Sequence, residues 1–161
     1  QAINARSIAA ALDCSTQPIF SNFASMDALR LAVVAAADAQ YQSYIKREIE
    51  KGEYPPYKAS GMAYIRFAKE EKELFKLLYM RDRSAEQPPK EAGLSGQLKS
   101  LVHNSTGFSG ARAGLFHLEM WAYVHGVAAM LATGFLELDW PLISQMLTDA
   151  YMGLKKRFEE E

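Results

Sequence analysis

From Met26 to Lys51 the chain runs without a proline or a glycine, and no other stretch restricts its fold as strongly. Leu29, Val33, Ala36, Ala37, Gln40, Tyr44 and Ile45 recur along it at the spacing of one helix face. Ser25 can cap its start, Lys46, Arg47 and Lys51 suit the negative end of the helix dipole, and Gly52 can stop it. At 1.5 Å per residue such a helix is about 39 Å long. That is long enough to belong to two modules, and no segment of the chain carries a strand pattern, so the fold expected is all-α.

Upstream, Ala5 to Leu12 has Ile8, Ala9 and Leu12 on one helix face, and Asn4 can cap it. Asp13-Cys14-Ser15 interrupts that pattern, because Asp tolerates the left-handed backbone a tight turn needs. Ser15 or Thr16 can cap a second short helix, with Pro18 harmless in its first turn. Ile19 and Phe23 then face the first helix and leave Thr16, Gln17, Ser21 and Asn22 outward. Short polar side chains on an exposed helix start suit a major groove, where Gln and Asn read base edges while Ser and Thr hold phosphate. The plain reading is a helical hairpin whose alanines allow close packing.

Downstream, GEYPP over Gly52 to Pro56 is a linker. Tyr57 to Ala68 reads as a helix with Gly61, Tyr64, Ile65 and Ala68 inward. The charged run Lys69 to Glu73 reads as a solvated corner, and Leu74 to Met80 as an apolar helix. Ser84 to Gly93, with Pro88 and Pro89, reads as a mobile surface loop, and Leu94 to Asn104 as a further helix broken by Gly107 and Gly110. Ala111 to Leu138 is apolar nearly all round and is expected to be buried on more than one side. Asp139-Trp140-Pro141 restarts a last helix with Ile143, Leu147, Ala150, Leu154 and Phe158 in its stripe. These last two helices carry more apolar face than one chain can cover. A four-helix contact with a second copy is therefore expected, through Val127, Met130, Leu131, Ile143, Leu147, Ala150 and Leu154.

With 161 residues and 49% hydrophobic content the chain can bury a core. Its net charge of −1 shows no basic excess, and Asn4 to Ile45 sets Arg6 and Arg30 against Asp13, Asp27 and Asp38. The single Cys14 excludes an internal disulfide, fits a reducing compartment and reads as a buried structural thiol. No apolar run reaches the length of a membrane span. His117, Trp121 and His125 follow at helical spacing, yet no Asp, Glu or Cys completes a metal site. There is no phosphate-binding glycine loop and no nucleophile motif, so neither enzyme activity nor a cofactor is expected.

Ile8-Ala9, the turn, Ser15, Ile19-Phe20, Phe23, and Ser25 with Leu29 opening a long helix together resemble the DNA-binding segment of TetR-family regulators. The pair of helices around the charged corner, with Phe67-Ala68 before it and Leu74-Phe75 after it, is similar to that family's effector domain. The resemblance implies a bacterial, cytoplasmic transcriptional repressor with three parts. These are a partial helix-turn-helix domain over 1–24, with its recognition helix near 15–22, a connecting helix over 25–51, and an effector-binding and dimerisation domain over 52–161. It implies DNA contacts from Asn4, Arg6, Ser15, Thr16, Gln17, Phe20, Ser21 and Asn22, with operator DNA, a largely apolar small molecule and a second copy as partners. Ring by ring, the central aromatics read as core filling. As a group with hydroxyl, indole and imidazole tips, Tyr64, Phe67, Phe75, Tyr79, Phe108, His117, Met120, Trp121 and Val124 read as the lining of an effector pocket, with His117 as its main polar contact.

Three residues depart from the family pattern: Phe20 stands for a phosphate-touching Tyr, Met26 for a Lys, and Asp13 for the turn glycine. The chain opens on Gln1, so the covering helix that the resemblance implies is expected upstream, with Ile8, Leu12 and Ile19 poorly covered here. Two other readings stay open: a dimeric helical ligand-binding or interaction protein without DNA binding, and a small helical enzyme built on His117.

Overall fold

The computed structural model describes residues 4–82 and 96–160. They form eight helices: α1 (Ala5–Ala11), α2 (Gln17–Asn22), α3 (Met26–Glu50), α4 (Pro56–Glu70), α5 (Lys72–Tyr79), α6 (Gly96–Thr106), α7 (Gly110–Ala132) and α8 (Trp140–Glu159). Among the described residues there is no strand, so the architecture is all-α. The expected loop from Ser84 to Gly93 and the helix start at Leu94 lie outside the described residues. Two compact units divide between Gln40 and Tyr41, inside α3.

In the first unit, Asn4 caps α1 by accepting from the Ser7 backbone N–H at 3.0 Å, while the Ser7 hydroxyl accepts from Asn4 N–H at 3.1 Å. The turn after α1 closes with Cys14 N–H on the Ala9 carbonyl and Asp13 N–H on the Ala10 carbonyl, and Asp13 sits at φ 51. That pair of bonds around a left-handed residue ends a helix by satisfying its last carbonyls, and glycine is the usual occupant. Ser15, not Thr16, accepts from the start of α2, through Gln17 N–H at 3.3 Å. Ala9 and Ile19 are buried, so Ile19 is better covered than expected, whereas Leu12 is 68% exposed. Cys14 is exposed and not buried, because the left-handed residue before it turns the chain outward. On α3, Ser25 caps as expected through Ala28 N–H, but Val33 and Ala36 face solvent.

The second unit is built around α4. Tyr57, Ala59, Ser60, Met62, Ala63, Tyr64, Ile65, Phe67 and Ala68 are all buried, so this helix is covered nearly all round. It packs against α5, α6, α7 and α8. Gly61 makes that possible: a Cβ there would lie 3.1 Å from Leu147 Cδ2 on α8 and 3.7 Å from Val124 Cγ2 on α7. The expected charged corner is a break at Glu71 alone, and it is not merely solvated. Glu70 accepts from the Tyr44 hydroxyl at 2.9 Å, and Lys69 donates to the Leu138 carbonyl at 3.2 Å.

α7 ends at Ala132, six residues before the expected Leu138, because Gly134 at φ 71 forms the same terminating pair as Asp13: Gly134 N–H to Leu131 O and Phe135 N–H to Met130 O. Nor is α7 buried on every side. Leu115, Leu118, Trp121 and Tyr123 remain exposed, since α4, α6 and α8 cover the other flanks. On α8 the stripe lies as expected, with Ile143, Leu147 and Phe158 buried and Ala150 and Leu154 partly so.

Two substitutions test these local arguments. Gly61→Val forces branched carbons into the α4–α8 contact, and urea unfolding should show a loss of roughly 1–3 kcal/mol, the usual cost of overpacking. Asp13→Gly removes side-chain strain at a left-handed position and should slow hydrogen exchange of the α1 amides, with a gain on the order of 1 kcal/mol in local stability.

Candidate functional site

The aromatic side chains of the second unit form two clusters along α7. In the first, Tyr41 of α3 lies 5.6 Å from Tyr64, 5.5 Å from Phe67 and 6.0 Å from Tyr79, ring centre to ring centre. Tyr64 and Phe75 meet edge to face at 5.4 Å, and Phe75 stacks on His125 at 5.8 Å. The Tyr64 hydroxyl is 2.8 Å from His125 Nδ1, and Trp121, 37% exposed, stacks on the outer face of that imidazole at 5.2 Å. Solvent therefore reaches this cluster past an indole and an imidazole.

The second cluster joins Tyr57, Phe108, Phe116, Met120 and Phe158 with Val102. His117 is buried here, with its Nδ1 3.0 Å from the Tyr57 hydroxyl. Tyr151 ties the end of α6 to α8 by donating to the Ser105 carbonyl at 2.8 Å.

The expected pocket residues are thus divided. Tyr64, Phe67, Phe75, Tyr79 and Trp121 belong to the first cluster, and Phe108, His117 and Met120 to the second. Val124 faces Gly61 between them. The reason is helix rise: His117 and His125 sit eight residues apart on α7, about 12 Å along its axis. His125, not His117, is the imidazole among the tyrosines. The sequence reading noted its spacing from Trp121 but gave it no role, and it missed Tyr41, Tyr57 and Tyr151. A Tyr at the start of α4 and another in α3 carry no local sign that they meet rings more than twenty residues away.

Burial sets the charge state of both sites. It pushes the Tyr57 and Tyr64 hydroxyls well above the ordinary phenol value and the imidazoles of His117 and His125 below the ordinary histidine value. Both pairs are consequently neutral at pH 7 and offer hydrogen bonds without charge. Tyr44, at the edge of the first cluster, is pushed up to about 12 by burial and by its bond to Glu70.

One carboxylate is buried nearby. Glu48 of α3 is 2% exposed, and burial alone would raise its pKa. The Lys51 hydrogen bond at 2.9 Å and the Arg66 charge, with Nε at 3.3 Å, outweigh that and hold it below the ordinary value. Arg66 in turn lies 4.2 Å from the Trp140 ring centre, linking α3, α4 and the start of α8.

A third feature is a groove between α6 and α7 with a volume of about 840 Å³, into which Phe108 projects. Among the described residues no group of three His, Cys, Asp or Glu side chains could hold a metal ion, and no helix is long and apolar enough to cross a membrane.

The expected dimer residues are not on the surface as a set. Val127, Leu131, Ile143 and Leu147 are buried within the chain, where α7 and α8 close over α4, so they have no surface to offer a second copy. Met130, Ala150 and Leu154 are half-buried. In the first unit, Arg6, Ser15, Gln17, Phe20, Ser21 and Asn22 are exposed and Thr16 is half-exposed. Asn4 is occupied in capping α1, the Ser21 hydroxyl donates to Gln17 O at 2.9 Å, and the Asn22 amide donates to Pro18 O at 2.7 Å.

Residues 57–151, more than half of the chain, match the tetracyclin repressor-like, C-terminal domain family. The chain belongs to the TetR family of regulators, and the matched part is the ligand-binding regulatory domain of a family of transcription regulators. No curated protein and no solved structure matches the chain.

The neutral imidazoles give a pH prediction. Their folded pKa values lie below the ordinary value of 6.5, so the unfolded chain binds more protons than the folded one at acid pH. Stability should be level above pH 7 and fall as the pH drops below about 6.5 toward the folded values. In His125→Gln, thermal unfolding followed by circular dichroism should show a shallower fall over the same range.

Proposed function

We propose that the chain is a ligand-responsive transcriptional repressor that binds operator DNA as a homodimer. The observation that carries this reading is a short helix, a left-handed turn at Asp13 and a second short helix with exposed polar residues, ahead of a segment that matches a TetR regulatory domain. Gln17 is the outward residue suited to a base edge. Thr16, Ser15 and Arg6 suit phosphates, and Arg6 has no ion-pair partner among the described residues.

The homodimer uses the outer faces of α7 and α8. Ala122 and Gly126 on α7 and Met152 and Gly153 on α8 are exposed or half-exposed, and nothing lies within 4 Å of a Cβ built on either glycine. Such stripes of small residues let two helix pairs approach closely. Two recognition helices must lie about 34–36 Å apart to enter successive major grooves.

The effector site is the cluster around Tyr64 and His125, with Trp121 at its solvent side. Its neutral hydroxyl and imidazole suit an uncharged or weakly polar, largely apolar molecule. Tyr41 of this cluster stands on α3, which also contributes to the first unit, so a ligand that moves Tyr41 acts on the helix leaving the DNA reader. To weaken operator binding a hundredfold, the ligand needs about 2.7 kcal/mol of preference for the released state.

DNA from upstream of the chain's own gene, titrated by fluorescence anisotropy over a range of salt, tests the reading. Affinity should fall with salt, and Arg6→Gln should flatten the slope by about 0.9. Ala122→Arg should give a monomer in sedimentation and lose about a hundredfold in DNA affinity, the size of a lost bivalent contact. A folded, dimeric chain that shifts no such DNA at low salt would leave the ligand-binding protein without DNA binding as the function.

A further inference from the structure

The direction of the hydrogen bonds around Tyr64 fixes which nitrogen of His125 carries its proton. Burial raises the pKa of the Tyr64 hydroxyl, and the Trp121 indole N–H, hydrogen-bonded to the hydroxyl oxygen, opposes that rise. An indole can only donate, so the oxygen accepts from it. The single phenol proton is then left for the other partner, His125 Nδ1, 2.8 Å away. Tyr64 is 3% exposed and has no third hydrogen-bond partner among the described residues, so a proton turned elsewhere would be buried unpaired. Burial keeps His125 neutral at pH 7. With Nδ1 accepting, the proton of a neutral imidazole sits on Nε2.

Only the edge of that imidazole remains for a ligand. Phe75 and Trp121 both stack on it, at 5.8 and 5.2 Å and with interplanar angles of 30° and 28°, and their own rings make no contact with each other among the described residues. They therefore take its two faces. His125 is half-buried, and its Nε2 has no hydrogen-bond partner among the described residues. The members of the cluster are rings, hydroxyls and a neutral imidazole, and none of them offers a formal charge to an anion. Burying an anion against them would cost its hydration without return.

We propose that the effector bound here is an uncharged, largely apolar molecule with a carbonyl oxygen, of the kind an aryl ketone presents, and that His125 Nε2–H donates to that oxygen. This rests on the reading of the cluster as the effector site. Tyr64 is a positioning residue: it holds Nδ1 as an acceptor and so keeps the donor on Nε2. A molecule without an acceptor leaves that N–H unpaired, which is how a site built to hydrogen-bond rejects an isostere.

Two measurements on the full chain test it. Long-range proton–nitrogen spectra of the histidine-labelled chain above pH 7 should show His125 protonated on Nε2, and Tyr64→Phe should release part of the population to the other tautomer. Calorimetric titration with 2-acetylnaphthalene and with 2-isopropenylnaphthalene, in which a CH2 group replaces the carbonyl oxygen, should show the ketone binding about fivefold more tightly, the size of one net hydrogen bond. His125→Phe keeps a ring between Phe75 and Trp121 and should bind the two probes equally. The proposal is overturned if Nδ1 carries the proton, if the wild type binds both probes equally, or if His125→Phe keeps the preference for the ketone. Binding of neither probe overturns the effector-site reading as well, whereas equal binding overturns the carbonyl inference alone.

Discussion

The close approach of α4 to α7 and α8 at Gly61 is the contact on which the second unit depends. A helix covered nearly all round must be thin where its neighbours cross, and α4 is thin at Ala59, Gly61, Ala63 and Ala68. Its large residues, Tyr57, Tyr64 and Phe67, meet rings of the neighbouring helices. Those contacts form the two aromatic clusters. The same small residues that permit the packing thus decide where rings gather.

Charge and hydrogen bonding follow from that arrangement. Each cluster pairs one tyrosine hydroxyl with one imidazole, Tyr64 with His125 and Tyr57 with His117, and these pairs satisfy themselves without a counter-charge. Glu48, the one deeply buried carboxylate among the described residues, lies outside the clusters and has two cationic partners. A buried ion so paired costs little only because Lys51 is itself partly wet and Arg66 also rests on Trp140.

Much of the helix layout was legible in the chain, because caps and stops are local. Asn4, Ser25 and Asp139 cap where they were expected to, and Gly52 ends α3. The end of α7 was misjudged because apolar residues continue to Leu138, whereas the bonds around Gly134 override hydropathy. The candidate site was legible as composition and not as grouping. Phe75, Tyr79 and Trp121 belong to one ring-rich region, but His117, expected beside them, pairs with Tyr57 in the other, since a helix separates residues along its axis as well as around it. Four of the expected dimer residues, Val127, Leu131, Ile143 and Leu147, are covered within the chain for a related reason. Periodicity identifies an apolar face but does not say whether the chain's own α4 or a second copy covers it.

By itself, then, the sequence determined the all-helical class, the helix starts, the left-handed turn at Asp13 and the TetR resemblance, all of which rest on neighbours within a few residues. Only the tertiary structure decided which stripes are consumed inside the chain, that Tyr41 and His125 both pack on Tyr64, that Cys14 is outside, and that α6 and α7 leave a groove between them. Those outcomes depend on contacts between residues tens of positions apart, where burial and steric fit, not local propensity, select the partner.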